Sequence, residues 1–399
     1  MRLISRTTTA PRLAGCALAA VLALGGCSPQ GSTPAEGETV DVVTEAEPDD
    51  DASYEAEAEP EGIPLEPTLR EVAPPGFYIG TIASGGGHLG DFEPWRQNPI
   101  LNELIRTQFN SITPENQSKM EPLRPTRDSY YFGELDQIVD FAEENGMRVR
   151  GHTLMWHRQN PTWLDSGVAS GELGADELRE ILHDHISTVV GRYAGRIAEW
   201  DVANEIFTDD GTWREENPFI AALGPEIVAD AFRWAHEADP EAKLFLNDYS
   251  VEWNNAKSQA YWDFIPVLLE QGVPVHGMGV QGHLTTFPNN FQQNIQRFAD
   301  LGVDVEITEL DIRMPAVDDD GFLTSGDALW QGELYRRSMN ACLGVADCTG
   351  VTVWGIGDYY SWVSNEFPGT GAATPFDMLL QPKPAFAAIR EALQAASAR

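Results

Sequence analysis

The chain has 399 residues, 42% of them hydrophobic, which is ordinary for a globular protein with one large domain or two modest ones. Its 62 Asp and Glu against 26 Lys and Arg give a formal net charge of −36 at pH 7. Phosphate binding needs clustered basic side chains, so this composition excludes nucleic acid as the partner. A neutral or cationic partner fits the charge better.

The N-terminus has the pattern of an export signal. Arg2, Arg6 and Arg12 precede an apolar run at residues 13–24, which is typical of a secretory signal peptide and too short for a membrane span. Residues 24–27 (LGGC) resemble a bacterial lipobox, in which the signal is cleaved before a cysteine that is then lipidated. We predict a signal peptide of the lipoprotein type over residues 1–26, with Cys27 as a lipid anchor to the membrane at the cell surface. Ordinary secretion is the alternative.

An acidic segment follows the predicted signal. Residues 28–69 contain no Lys or Arg and are dominated by Glu, Asp, Pro, Ala and Gly. Such a segment cannot bury enough apolar surface to fold, and its charges repel one another. We therefore predict a disordered acidic linker over residues 27–70 and a folded catalytic domain over residues 71–399.

From residue 71 onwards, short β-rich runs alternate with amphipathic helical stretches. The eight predicted strands cover residues 78–82, 109–113, 148–153, 197–204, 243–248, 275–281, 303–309 and 350–357. The predicted helices include residues 135–145, 176–193, 225–238, 256–271, 291–301 and 384–395. Eight such units in about 330 residues predict an α/β fold, the (β/α)8 TIM barrel, whose active site lies at the C-terminal ends of the strands.

Polar residues with useful chemistry follow the predicted strands. Glu205 follows the fourth strand and Glu309 ends the seventh. Glycoside hydrolysis needs two carboxyl groups across the scissile bond, one to donate a proton and one to attack or to activate water. A single glutamate at a strand end is as often a surface charge, but two of them, on the fourth and seventh of eight strands, favour a shared catalytic pocket.

Seven short motifs follow one another along the predicted barrel. They are residues 113–119 (TPENQSK), 151–157 (GHTLMWH), 200–205 (WDVANE), 246–249 (LNDY), 279–283 (GVQGH), 307–311 (ITELD) and 353–355 (VWG). In this order they resemble the glycoside hydrolase family 10 endo-1,4-β-xylanases, and the resemblance extends over about residues 75–395. It implies hydrolysis of internal β-1,4-xylosidic bonds of xylan, with retention, through a covalent glycosyl-enzyme.

The resemblance also implies roles for single residues. Glu205 matches the general acid and base, and Glu309 matches the nucleophile. His283 resembles the histidine that hydrogen-bonds the nucleophile, Asp311 the aspartate that orients this histidine, and Asn204 the asparagine that binds the sugar 2-hydroxyl. The resemblance assigns substrate binding to Glu115, Asn116, Lys119, His152, Trp156, Gln159, Gln281, Trp354 and Trp362. The three tryptophans suit this role because sugar rings present apolar faces.

Two tryptophans are expected away from the substrate, and the sequence departs from the family pattern at two positions that are expected near it. Trp163 and Trp200 are expected in the core. Met120 stands where the family usually has tryptophan, and Val363 stands where arginine is common. Both positions are expected to border the substrate, so the departures put subsite affinity and chain-length preference in doubt.

Cysteine and histidine usage bears on disulfides and metals. Cys342 and Cys348 lie six positions apart, which predicts a disulfide in an exported protein, with two buried free thiols as the alternative. Two closely spaced histidine pairs exist, at residues 152 and 157 and at residues 183 and 185, but neither makes a convincing zinc motif. We expect no catalytic metal and no cofactor.

Two other functions stay open at this point. A cellulase or mannanase on the same barrel could use the same two glutamates, although the xylose-side residues Glu115, Asn116 and Lys119 favour xylan. A surface lipoprotein that binds glycans without cleaving them is a second alternative, against which both intact glutamates argue. By the resemblance we expect a monomer.

Overall fold

The computed structural model describes residues 63–85, 93–314, 318 and 320–399. The predicted signal peptide, Cys27 and most of the predicted linker lie outside these residues. Residues 63–70, which the sequence assigned to that linker, belong to the folded part. Leu69 is fully buried there, and Arg390 donates hydrogen bonds to the backbone oxygens of Pro64 and Glu66. The folded domain therefore begins a few residues before the predicted boundary at residue 71.

Parallel strands form a closed barrel. The strands among the described residues are β1 (Tyr78–Ala83), β2 (Ser111–Pro114), β3 (Arg148–Met155), β4 (Glu199–Asn204), β5 (Lys243–Asp248), β6 (Gly277–Val280), β7 (His283–Leu284), β8 (Asp304–Ile312) and β9 (Cys348–Val353). β1 to β6 pair in sequence order, and the pairs β6 with β8, β8 with β9, and β9 with β1 close a ring of eight strands. The short β7 pairs with the last residues of β8.

The predicted barrel is confirmed by this topology. All eight predicted strands exist, and the largest displacement is at the end of the eighth, predicted at residue 357 and observed at Val353. The extra strand β7 follows β6 after a turn at Gly282. It pairs His283 with Asp311 on β8 in register, which brings these two residues of the predicted site side by side.

Helices alternate with the strands in the part of the chain that the structure describes. They are α1 (Leu69–Val72), α2 (Pro94–Gln97), α3 (Pro99–Gln108), α4 (Met120–Leu123), α5 (Gly133–Glu144), α6 (Thr162–Ser170), α7 (Ala175–Arg192), α8 (Pro218–Leu223), α9 (Glu226–Ala238), α10 (Ala256–Glu270), α11 (Phe291–Ala299), α12 (Ser325–Leu343), α13 (Val363–Glu366) and α14 (Pro384–Ser397). The six predicted helices correspond to α5, α7, α9, α10, α11 and α14. None of the described helices is both long and apolar enough to cross a membrane.

Local sequence explains where two helices begin. α3 and α8 each start with an Asn-Pro pair, Asn98 before Pro99 and Asn217 before Pro218. The asparagine side chain accepts hydrogen bonds from two backbone amides of the first turn. Proline at the first helical position has the required φ and needs no donor there, so both starts are specified by the pair.

The apolar layer outside the strands depends on close packing at a glycine. Trp200 on β4 is completely buried, as predicted, and its indole lies over Gly151 on the neighbouring β3. A Cβ atom at Gly151 would lie 2.2 Å from an indole carbon. Only glycine therefore leaves room for this ring.

The barrel interior contains a buried network of charged side chains. Arg150 Nη1 donates to Glu199 at 2.8 Å and to Glu306 at 3.0 Å, and Arg148 Nη1 donates to Glu306 at 2.9 Å. Arg150 also pairs with Asp201. These five side chains are at most 9% exposed. Ion pairing and multiple hydrogen bonds offset the cost of removing these charges from water.

The two cysteines connect the end of α12 to the start of β9. Cys342 and Cys348 lie at disulfide distance, with the sulfur atoms 2.02 Å apart and the Cα atoms 5.3 Å apart. Both residues are buried. This contact joins the last helix before β9 directly to a barrel strand.

Candidate active site

A cleft of about 730 Å³ lies at the C-terminal ends of the barrel strands. It is lined by every residue that the sequence assigned to catalysis or sugar binding: Glu115, Asn116, Lys119, His152, Trp156, Gln159, Asn204, Glu205, Gln281, His283, Glu309, Asp311, Trp354 and Trp362. The fold thus brings together side chains that span residues 115 to 362. The strand-end position that each motif has in the sequence accounts for this convergence.

Glu309, on β8, is surrounded by groups that favour its ionised form. Asn247 Nδ2 donates to its Oε1 at 2.8 Å, His283 Nε2 lies 3.1 Å from its Oε2, and His152 Nδ1 lies 3.8 Å from its Oε1. Burial raises the pKa of a carboxyl group, but His152, His283 and Asn247 together lower the pKa of Glu309 to about 2. Glu309 is therefore a carboxylate across the neutral range, as a nucleophile must be.

His283 is placed between two acidic side chains. Its Nδ1 lies 3.0 Å from Asp311 Oδ2, and Trp362 Nε1 donates to the same oxygen at 2.8 Å. Burial lowers the pKa of His283, but Asp311 and Glu309 raise this pKa well above its ordinary value. The ring is therefore a charged donor to Glu309 at neutral pH.

His152 connects the cleft to the ionic network of the barrel interior. Its Nδ1 lies 2.9 Å from Asp201 Oδ2, and Arg150 Nε donates to that same oxygen at 3.3 Å. His152 is 3% exposed, so this contact is shielded from water. The barrel interior thus fixes the orientation of a ring that lies beside Glu309.

Glu205 follows β4 and faces the same cleft. Gln281 Nε2 donates to its Oε1 at 3.2 Å, and His157 Nδ1 lies 3.7 Å from its Oε2. Burial, followed by the positive charges of Arg214 and Arg158, lowers the pKa of His157 to about 3. The ring beside Glu205 is therefore uncharged at neutral pH, unlike the charged ring of His283 beside Glu309.

Amide side chains bridge the two glutamates. The Asn204 amide lies 2.9 Å from Asn247 Nδ2 and 3.3 Å from Gln281 Nε2. Asn247 also contacts Glu309, and Gln281 also contacts Glu205, so the three amides fix both carboxyl groups around one position. Two carboxyl groups on either side of a bound sugar, one of them held ionised, are what glycoside hydrolysis requires.

A second cluster of polar side chains lies along the cleft. Lys119 Nζ donates to Asn116 Oδ1 at 3.1 Å and to Gln159 Oε1 at 2.7 Å, and Gly85 N donates to Glu115 Oε2 at 2.9 Å. Burial raises the pKa of Glu115 to about 7, against the effects of the Gly85 amide and Lys119. Burial likewise lowers the pKa of Lys119, against the nearby acids. The cluster offers both donors and acceptors, which sugar hydroxyls need.

Aromatic rings border this polar surface. Trp354 packs edge-on against His152 with ring centroids 5.4 Å apart, and Trp362 packs against His283 at 4.9 Å. Lys119 Nζ lies 4.9 Å from the ring centroid of Trp156. Each tryptophan is thus held by a polar residue of the cleft, with ring surface available for the apolar face of a sugar.

Several residues that line the cleft were not assigned from the sequence: Glu121, His157, Arg158, Arg214, Tyr249, Ser250, Arg313, Asn365, Glu366 and Phe367. Asn247, which contacts Glu309, was given no role from the sequence, although it stands in one of the seven motifs and at the end of the fifth strand. Arg214 and Phe367 lie in loops whose course the strand pattern does not determine.

No group of three or more His, Cys, Asp or Glu in the described ranges has the arrangement of a metal site.

The departures from the family pattern lie in different environments. Val363 lines the cleft, so the absence of an arginine there changes the surface presented to a ligand. Met120 is 4% exposed, packs in the core and is not among the residues that line the cleft. The expectation that both border the substrate is therefore wrong for Met120.

A (β/α)8 barrel with two glutamates facing one cleft at the carboxyl ends of its strands is the arrangement of a barrel glycoside hydrolase. The particular family follows from comparison with known proteins. The chain belongs to glycosyl hydrolase family 10, whose family model matches residues 68–392.

Named relatives and solved structures agree with this assignment. Endo-1,4-beta-xylanase B of Thermotoga neapolitana is 41% identical over 295 residues, which cover 73% of this chain and 83% of that protein. Endo-1,4-beta-xylanase of Agaricus bisporus is 41% identical over 315 residues, covering 78% of this chain and 90% of that protein. The crystal structure of native xylanase 10B from Thermotoga maritima superposes with a TM-score of 0.76 at 40% identity, covering 83% of this chain and 100% of that one. Xylanase 10B from Thermotoga petrophila RKU-1, solved in complex with xylobiose, gives a TM-score of 0.76 at 40% identity, covering 82% and 97% of the two chains.

Proposed function

We propose that this chain is a retaining endo-1,4-β-xylanase in which Glu309 is the nucleophile and Glu205 is the general acid and base. The observation that carries the proposal is the pairing of Glu309, held ionised by His283, His152 and Asn247, with Glu205 in one cleft. The relatives from Thermotoga neapolitana and Agaricus bisporus, both named endo-1,4-beta-xylanases, support the substrate.

The reaction proceeds in two displacements at the anomeric carbon. In the first, a Glu309 oxygen attacks this carbon while the glycosidic bond breaks, and the departing oxygen takes the proton of Glu205. In the second, Glu205 removes a proton from water, the water oxygen attacks the same carbon, and the bond to Glu309 breaks. Two inversions at one carbon give net retention, and both glutamates return to their starting protonation states.

The remaining cleft residues bind the polymer. Asn204 hydrogen-bonds the 2-hydroxyl of the sugar that reacts, an interaction that strengthens as the oxocarbenium-like transition state forms. Glu115, Asn116 and Lys119 bind the next xylose towards the non-reducing end, and their existing hydrogen bonds hold them ready to do so. Trp354 covers the apolar face of a bound ring.

A panel of polymers tests this function. Reducing-sugar release by the full chain is measured with xylan, mannan and carboxymethyl-cellulose, with Glu309→Ala in parallel. We expect cleavage of xylan and loss of this activity in the variant. Preferential cleavage of cellulose or mannan would favour another barrel glycosidase. Binding of xylan without turnover would favour a glycan-binding surface protein.

We also propose that the protein is exported and anchored by lipid on Cys27. Support comes from the basic and apolar N-terminal pattern and from the LGGC sequence at residues 24–27. In a bacterial host with lipoprotein processing, the wild-type chain is expected in the membrane fraction and Cys27→Ala is expected outside it. If the wild type and Cys27→Ala are found in the membrane fraction to the same extent, Cys27 is not the anchor, and ordinary secretion or retention in the cell is left as the explanation.

A further inference from the structure

The backbone of Glu205 adopts a conformation that residues with side chains rarely take. Its φ is 54°, in the left-handed region, immediately after the last residue of β4. A Cβ atom crowds the neighbouring carbonyl oxygen in this region, so the surrounding structure must hold the backbone there. This bend aims the carboxyl group, and whatever fixes the bend therefore fixes the direction of the proposed acid and base.

The peptide group that follows Glu205 is held at both of its polar atoms by side chains. Arg214 Nε donates to Glu205 O at 2.7 Å, and Ile206 N donates to the Tyr261 hydroxyl at 3.1 Å. On the other side of the residue, Glu205 N donates to Asn247 O at 2.8 Å. Rotation of this peptide would break hydrogen bonds to Arg214 and Tyr261 together.

A buried ion pair determines which way the Tyr261 hydroxyl points. This hydroxyl donates to Asp248 Oδ2 at 2.7 Å, and because a phenol has one proton, its oxygen is left to accept from Ile206. Burial raises the pKa of Asp248, and Lys257 Nζ, 3.0 Å from Asp248 Oδ1, opposes this effect, so that the pKa is about 7 overall and the ion pair with Lys257 favours the carboxylate. Lys257, Asp248 and Tyr261 are all 0% exposed.

This cluster takes no part in the two displacements, and a buried lysine with a buried aspartate is costly unless the pair is well bonded. Tyr261 contacts the reacting site at the Ile206 amide, the donor next to Glu205, and Asp248 O accepts from the backbone amide of Gln281. We infer that Tyr261, held by Asp248 and Lys257, is a positioning residue for Glu205. Arg214 holds the other polar atom of the same peptide group from the side of the cleft, and we call Tyr261 and Arg214 together the clamp. The inference rests on the proposed function, in which Glu205 is the acid and base.

Leaving-group dependence separates positioning from general support of the fold. A substrate with dinitrophenol as leaving group needs no protonation when its bond to the sugar breaks, whereas phenol and sugar alcohols do. A displaced Glu205 therefore slows the first displacement for poor leaving groups only. A loss of fold or of substrate binding slows all substrates alike.

The experiment uses aryl β-xylobiosides whose leaving groups range from dinitrophenol to phenol, with the full chain and its Tyr261→Phe variant. We expect kcat/KM for the phenyl substrate to fall about tenfold or more in the variant, while kcat/KM for the dinitrophenyl substrate stays close to wild type. The second displacement needs Glu205 as base for every substrate, so kcat for the dinitrophenyl substrate is expected to fall in the variant. Azide, which attacks without a base, is expected to restore this kcat. The matched control is Tyr193→Phe, because Tyr193 is equally buried and its hydroxyl also donates to an aspartate, Asp136, at 2.9 Å.

A second variant keeps the test decisive if Tyr261→Phe fails to fold. Arg214→Lys keeps the charge but removes the Nε donor to Glu205 O, and we expect the same dependence on leaving group. If log kcat/KM falls with rising leaving-group pKa at the same slope in the wild type and in the folded variants, the inference is overturned. Glu205→Ala in the same series identifies failure of the proposed function itself. If Glu205→Ala shows no added dependence on the leaving group, Glu205 is not the acid. If Glu205→Ala shows it and the clamp variants do not, only the positioning role is lost.

Discussion

Glu309 keeps its low pKa through contacts that oppose the effect of burial. A carboxyl group that is 5% exposed would be protonated more readily than in water, but His152, His283 and Asn247 reverse that effect. Asn247 makes the shorter hydrogen bond to Glu309, whereas His283 contributes a positive charge, because Asp311 lies beside its ring and raises its pKa.

Replacing His283 therefore has a predictable effect on the pH profile. In His283→Asn the charged donor is gone, so the pKa of Glu309 rises. Because Glu309, the proposed nucleophile, must be ionised, the acid limb of kcat/KM is expected to move to higher pH, with a loss of about one to two orders of magnitude at mildly acidic pH. His183→Asn, at an exposed position on α7, is the control and should leave the profile unchanged. An unshifted acid limb in His283→Asn would mean that this histidine does not control the ionisation of Glu309.

The meeting of Glu205 and Glu309 in one cleft could be predicted from the sequence because strand ends converge in a barrel, whatever the loops do. The Tyr261 and Arg214 clamp could not. Tyr261 lies on α10 and faces inwards through helix packing, and Arg214 lies in a loop that folds back onto Glu205 O. The hydrophobic pattern gives the helix but not the hydrogen bonds of one hydroxyl group.

At the scale of the elements, the contact between β3 and β4 depends on the absence of a side chain at Gly151. Gly151→Ala would place a Cβ atom within 2.2 Å of the Trp200 indole, and the rigid ring cannot yield in a packed core. We expect a loss of about 1–3 kcal/mol in the free energy of unfolding, measured by denaturant titration. Gly191→Ala, on an open face of α7 with nothing within 4 Å, should instead be neutral or slightly stabilising. Equal stability of the two variants would show that β3 moves to accommodate the methyl group.

The link between α12 and β9 gives a second prediction at this scale. Removing both sulfurs in the Cys342→Ala, Cys348→Ala double variant opens a short loop, for which chain entropy predicts a loss of about 2 kcal/mol. Alkylation of the unfolded wild type before and after reduction, followed by mass measurement, checks that the bond exists in the purified protein. Full alkylation without reduction would mean that the two thiols are free.

At the scale of the whole molecule, the charged barrel interior was not predicted from the sequence. Alternating charged residues, such as Arg148 and Arg150 on β3 and Glu199 and Asp201 on β4, would by pattern alone face water. They are buried because barrel closure brings β8, with Glu306, close enough to pair with both arginines. Such pairing across the barrel depends on the closed topology and not on any local segment.

Within this network Glu306 gives a pH-dependent contribution to stability, whereas burial raises the pKa of Glu199 to about 7 and gives that residue the opposite dependence. Burial raises the pKa of Glu306, but Arg148 and Arg150 lower it overall to about 2, below the ordinary value of 4.5. The stabilisation is therefore present above pH 4.5 and is lost as the pH falls towards 2. Glu306→Gln should cost about 3–5 kcal/mol at neutral pH, and its difference from wild type should shrink on acidification. Glu333→Gln, which removes an exposed partner of Arg336 and Arg337, should change stability by less than about 0.5 kcal/mol. A pH-independent difference for Glu306→Gln would contradict this account.

The proposed mechanism requires that Glu309 form a covalent bond to the sugar. The most direct measurement is incubation of the full chain with a dinitrophenyl 2-deoxy-2-fluoro-β-xylobioside, followed by digestion and mass spectrometry of the peptides. The fluorine slows breakdown of the glycosyl-enzyme because it destabilises the oxocarbenium-like transition state. We expect one labelled peptide, with the sugar on Glu309, and no label in Glu309→Ala. A label on another carboxyl group, or an enzyme that turns over the reagent without becoming labelled, would contradict the proposed mechanism.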